Sequence, residues 1–251
     1  MDAINVLIYY LYEYTPFIVG TAVIVLGILI TVNRNTYCRA LGISSILSGL
    51  QSILSACPRI LLESGMGEMY GNISWVFNLS FMITGISSTI FFCLFLHRRY
   101  GKKFIYIPIL LLGVGGSFIN SIVAVLLGRT LGGGQTAAYW ISMVNTIDSF
   151  VINTATAVIF IIIFFRNRGG EKVIPKAWLV RLITLIIYAV ETALICCFYA
   201  FLIKNPGPIQ GSMETIYYLF AIIFSCAGLI FPAYVMYGTV KSGSQDISVE
   251  G

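Results

Sequence analysis

Charge is scarce in this chain. Only 10% of its 251 residues are Asp, Glu, Lys or Arg, against about 25% in an ordinary soluble domain. Together with a 58% share of hydrophobic residues, that shortage excludes a water-soluble globule. Histidine is scarcer still. His97 is the only one, and it stands beside Arg98 and Arg99. A His-ligated metalloprotease, haem-b ligation and a Ser-His-Asp site all need imidazole inside a site, so none is expected, and His97 reads as a solvated loop residue. The six cysteines (Cys38, Cys57, Cys93, Cys196, Cys197 and Cys226) form no Cys-x-x-Cys or Cys/His pattern of the metal-binding kind. Five fall in apolar runs and Cys38 in a basic loop, where they read as small core residues. The run Gly132-Gly133-Gly134 is no phosphate loop, because no strand precedes it and no Gly-Lys-Ser/Thr follows. No cofactor, no metal site and no enzymatic activity are expected.

What the chain has instead is apolar runs of more than twenty residues, long enough to cross a hydrocarbon core of ~30 Å. They fall at 5–32, 37–62, 72–96, 104–127, 137–165, 176–203 and 212–240, followed by a polar tail, 241–251. No basic n-region precedes the first run and no small-residue cleavage site follows it, so the first helix should stay as an anchor. Span one opens on Tyr9, Tyr10, Tyr12 and Tyr14, suited to a membrane interface, with Glu13 near water and Pro16 as a bend or a true start. Asn72-Ile73-Ser74 fits a glycosylation acceptor.

The basic residues are partitioned. Twelve (Arg34, Arg39, Arg98, Arg99, Lys102, Lys103, Arg166, Arg168, Lys172, Lys176, Arg181 and Lys241) fall on one side of this layout, and Arg59, Arg129 and Lys204 on the other. Positive charge stays inside. The expectation is an all-α, polytopic integral membrane protein, a seven-transmembrane-helix bundle in one domain, with the N-terminus outside and the C-terminus cytoplasmic. The net charge of +5 sets orientation and implies no nucleic acid partner. The membrane is expected to be the plasma or cytoplasmic membrane.

Seven spans with the amino end outside resemble the layout of rhodopsins and G-protein-coupled receptors. A retinal protein of that kind needs a Schiff-base lysine in span seven, and residues 212–240 contain none. The stretch from Trp75 to Lys103, a Trp-led apolar span ending in an aromatic-basic-glycine turn, is similar in style to seven-span sensory regions that precede bacterial histidine kinases. No kinase domain lies in these 251 residues. An internal repeat is also conceivable. Thr21-Ala22-Val23-Ile24 recurs as Thr156-Ala157-Val158-Ile159, which would make spans one to three and five to seven parallel repeats.

Two acids sit deep in this apolar sequence. Asp148 is about 16 Å from the outer start of span five and Glu191 about 18 Å from the outer end of span six, at 1.5 Å per residue. An ionisable group at such depth is costly and points to function. Asn145 shares a helix face with Asp148, while Tyr188 and Thr184 share one with Glu191. Gln51, Ser117 and Asn120 reach similar depths on spans two and four. A polar centre between spans two, four, five and six is therefore expected. Its acids have three open roles: a protonated structural pair, a cation or proton carrier, or a contact for a cationic ligand. Burial favours the neutral form of any carboxyl.

Small residues form two further stripes. Ser44, Ser48, Ser52 and Ala56 recur every four residues on span two, as do Ser80, Thr84 and Ser88 on span three. Such stripes let helices approach closely. Span four is small and polar through its middle, at Gly113, Gly115, Gly116, Ser117, Asn120 and Ser121. Tyr70, Trp75, Tyr139, Trp140, Tyr199, Tyr217 and Tyr218 cluster toward the outer side and Trp178 toward the inner, as interfacial anchors or an aromatic vestibule.

These features suit a small transporter or permease-like protein carrying a small molecule, cation or proton. They also suit a receptor-like protein that binds a ligand from outside and contacts a cytoplasmic partner. A third possibility is a membrane subunit of a larger complex. The lipid bilayer is a partner in every case.

Overall fold

A computed structural model describes residues 3–32, 36–100, 103–130, 177–204 and 212–226, and part of 140–162. The described residues form helices α1 (Ala3–Thr31), α2 (Thr36–Glu63), α3 (Gly67–Tyr100), α4 (Lys103–Thr130), α5 (Ala177–Lys204) and α6 (Ser212–Ser225). Those between 140 and 162 are helical too, and no strand occurs among the described residues. Ile4–Thr31, Cys38–Cys57 and Leu79–Arg98 are each long and apolar enough to cross a membrane. The molecule is thus an all-helical membrane protein.

Local chemistry explains the turn after α2 and the proline within α1. Gly65 has φ +79°, a conformation that other residues adopt only with strain. The Met66 N–H donates to the Leu61 carbonyl at 3.0 Å, closing the end of α2 in the six-to-one pattern of a Schellman cap. Pro16 lies inside α1. It has no N–H to give, and nearby the Thr15 hydroxyl donates to the Leu11 carbonyl at 2.6 Å. The Pro16 carbonyl receives the Ser52 hydroxyl of α2 at 3.1 Å.

Successive helices α1 to α4 pack pairwise, and α6 returns to pack on α1 and α5. The α1–α2 seam is built on glycine. A Cβ added to Gly20 would stand 2.6 Å from the Gly49 carbonyl oxygen, and one on Gly49 would stand 2.5 Å from the Gly20 carbonyl oxygen. Gly27 and Gly42 repeat the arrangement at 2.8 and 2.6 Å. Both pairs recur after seven residues, two helical turns, so they fall on one seam. The α2–α3 seam is built on serine. The Ser88 hydroxyl meets those of Ser44 and Ser48 at 3.2 and 2.8 Å, and Ser44 and Ser88 each reach the other's carbonyl oxygen, at 2.8 and 2.9 Å.

Two clusters close the ends. At the basic end, Ile30, Cys38, Leu41, Cys93, Leu96, Ile109 and Ile159 share a buried core. At the opposite end, Tyr9 and Tyr12 of α1 pack on Tyr217 and Tyr218 of α6, and Phe198 of α5 stacks on Tyr217 at 4.6 Å.

Several expectations are revised. Cys38 is no loop residue: it lies in α2 and is fully buried, because α2 begins at Thr36 and turns it into the basic-end core. Glu13 is not near water but 7% exposed, since its helix face also carries Pro16 and Gly20, which meet α2. The loop expected at 63–71 shrinks to 64–66, and Asn72-Ile73-Ser74 is helical. Val23 is buried and Val158 exposed, so the described part of the second repeat copy does not present the same face as the first. Of the loop expected at 204–211, Lys204 is the last residue of α5; residues 205–211, Thr156, Ala157 and the chain beyond 226, where Pro232 is expected to kink span seven, lie outside the described residues.

Candidate functional site

The site begins with a glycine. Gly116 of α4 is buried, and a Cβ added there would meet the Asp148 carboxyl oxygens at 2.5 and 2.9 Å. The Asp148 carboxyl therefore occupies the volume that any other residue at 116 would fill. The helix face explains why it points inward. Ile159, eleven residues on, lies on the same face after three turns and belongs to the basic-end core. Ile147, Val151, Val158 and Ile162 are exposed on the neighbouring face. An inward-facing carboxyl beside an outward apolar stripe is the arrangement a lipid environment demands.

Contacts between helices fix its level. Ser48 meets Ser88, and three residues farther along α2 the Gln51 amide nitrogen comes within 2.7 Å of where a Gly85 Cβ would stand. The Thr89 side chain lies against Gly113 in the same way, at 2.5 Å. Three residues along α4 from Gly113 and three back on α3 from Thr89 bring Gly116 opposite Ile86. Gln51, Gly85, Gly116 and Asp148 thus occupy one level, and Gly20 joins it through Gly49. No Lys or Arg occurs at that level in these segments. Ser117 lies beside Gly116, with its hydroxyl donating to the Gly113 carbonyl at 2.8 Å.

Three expected site residues, Asp148, Gln51 and Ser117, are therefore placed at a common depth, and the first two lie against glycines of neighbouring helices. The side chains of Glu191, Tyr188, Thr184 and Asn120, and Asn145 as a whole, lie outside the described residues. A carboxyl, an amide and a hydroxyl at one level are hard oxygen and nitrogen groups. Through their oxygens such groups can hold a proton or a small cation.

A second polar group was not anticipated as a unit. The Tyr217 hydroxyl lies 3.3 Å from that of Tyr199 and also bonds Tyr12, while Thr215 donates to the Asn5 side-chain oxygen at 3.0 Å. These tyrosines join α1, α5 and α6. Their aromatic type was visible in sequence; their mutual contact was not.

No family model, curated protein or solved structure matches the chain.

Proposed function

We propose that this protein is a small transporter or permease-like membrane protein, not an enzyme. Seven helices would cross the membrane with the N-terminus outside, and the polar level at Asp148 would carry a cation or proton. The observation that supports this is the seat of the Asp148 carboxyl on the bare backbone of Gly116. A carboxyl held against a helix by the absence of a side chain can be exposed or covered by a small slide of that helix. A change of that kind is what alternating access requires. Glu191, from α5, would act with Asp148.

The test is ion-driven uptake in proteoliposomes across a pH or cation gradient, with Asp148→Asn and Glu191→Gln compared with the parent protein. Gradient-dependent flux lost in Asp148→Asn supports the reading. Flux unchanged in both variants, or none in the parent protein with any gradient, overturns it.

A second reading is favoured by the hydroxyl chain Tyr12–Tyr217–Tyr199, which joins three helices at the end opposite the basic loops. A ligand arriving from that side would shift α6 against α1, as a receptor requires. Ligand-dependent change in Tyr217 fluorescence without flux would support it.

A further inference from the structure

We infer that α4 and the basic end form a binding site for an anionic phospholipid, with the headgroup phosphate against Lys103, Arg98 and Arg39 and one acyl chain along α4. The inference is independent of any transport activity. It starts from a juxtaposition. Cys38 and Ala40 of α2, Leu96 of α3 and Ile109 of α4 share one buried core, and the His97 ring meets Tyr106 of α4 edge-on at 5.0 Å. Arg39, Arg98 and Lys103 each lie within one helical turn of those contacts, and all three are exposed. The stretches of sequence that contain them, residues 33–39 and 97–103, hold six Lys or Arg and no acid. Clustered cations of this kind at a membrane surface select anionic headgroups.

Charge alone would suit any anion. The surface below Lys103 names an amphiphile. One turn on stands Ile107, then Leu111, Phe118 and Ile122, all exposed and at helical spacing, with Leu111 at 67%. Gly115 falls between Leu111 and Phe118, and a Cβ there would meet nothing within 4 Å among the described residues. The stripe therefore has a notch at mid-height. The neighbouring Gly113 and Gly116 are both occupied, by Thr89 and Asp148; Gly115 alone of the three opens outward. A bare phosphate or an acidic protein segment would use the cations and leave this apolar track uncovered.

The test is lipid retention. The protein is reconstituted in phosphatidylcholine bilayers containing a minor share of phosphatidylglycerol, re-extracted into detergent, and its retained lipids are quantified by mass spectrometry. Phosphatidylglycerol should be enriched over its bulk share. Each charge removed in Arg98→Ala or Lys103→Ala should lower that enrichment about fivefold, the effect of one basic residue near an anionic surface. Gly115→Leu, whose Cβ meets nothing within 4 Å among the described residues, fills the notch and should lower it with the charges intact. Lys204→Ala at the opposite end should leave it unchanged, and added inorganic phosphate should not displace the lipid. Retention at the bulk ratio overturns the site. Equal losses in Lys204→Ala and Lys103→Ala would mean unspecific attraction, and displacement by phosphate would mean an anion site without a lipid; either result overturns it as well.

Discussion

Two glycine contacts in this molecule look alike in sequence and differ in what they face. On the α1–α2 seam, Gly20 and Gly49 each press on the other's carbonyl oxygen. On α4, Gly116 presses on the carboxyl of Asp148. The first contact is backbone on backbone, has no freedom to yield, and recurs seven residues away. The second is backbone on the end of a side chain, which can rotate. The comparison teaches that close approach serves fixation where both partners are main chain, and serves placement of a charge where one is an acid.

Substitutions can break this comparison or sharpen it. The largest effect is expected for Gly20→Leu or Gly49→Leu. No rotamer relieves a clash with a carbonyl 2.5–2.6 Å away, so the helices must part, at a loss of about 3 kcal/mol. Unfolding in mixed detergent micelles measures it. Gly116→Ala should lose about 1 kcal/mol, and most of that loss should vanish when Asp148→Ala is made in the same chain. Neighbours in contact show such coupling in a double-mutant cycle. A cycle that is additive at 116 and 148 would erase the distinction between the two glycines.

Smaller effects grade the remaining contacts. Ser88→Ala removes the hydroxyl shared by Ser44 and Ser48 and should lose about 0.6 kcal/mol per bond. Tyr217→Phe leaves the stack on Phe198 intact and removes only the hydroxyl links, so a loss near ~0.5 kcal/mol is expected by the same measurement. Gly115→Ala should be neutral or slightly stabilising, because the new methyl meets nothing among the described residues and alanine is the better helix former by about 1 kcal/mol. A loss there comparable to that of Gly116→Ala would show that α4 is rotated from its described position.

Sequence made the helical membrane character plain, since scarce charge and long apolar runs allow little else. The placement of Asp148 against a neighbouring helix was legible too, because an acid at that depth has few tolerable surroundings. The serine stripes announced close helix contact, and Ser44, Ser48 and Ser88 make it. What sequence hid was the choice of partner. Helical periodicity says which residues share a face, not which helix covers that face, so Gly20, Gly27, Gly42 and Gly49 read as unremarkable residues in apolar runs. Gly115 and Gly116 are adjacent and identical in type, yet one opens outward and the other holds a carboxyl. Glu13 misled for the converse reason. Nearness to a helix end suggested water, while its angular position turned it toward α2.

The claim on which the rest depends is that Asp148 faces α4 at Gly116. Cysteines placed as Gly116→Cys and Asp148→Cys, in a chain whose six native cysteines are replaced, test it in the membrane. A disulfide needs Cβ atoms about 3.5–4.5 Å apart. After mild oxidation, alkylation and intact-mass spectrometry, this pair should show no free thiol, while Gly116→Cys with Ile147→Cys should keep both thiols free. Free thiols in the first pair and a cross-link in the second would contradict it.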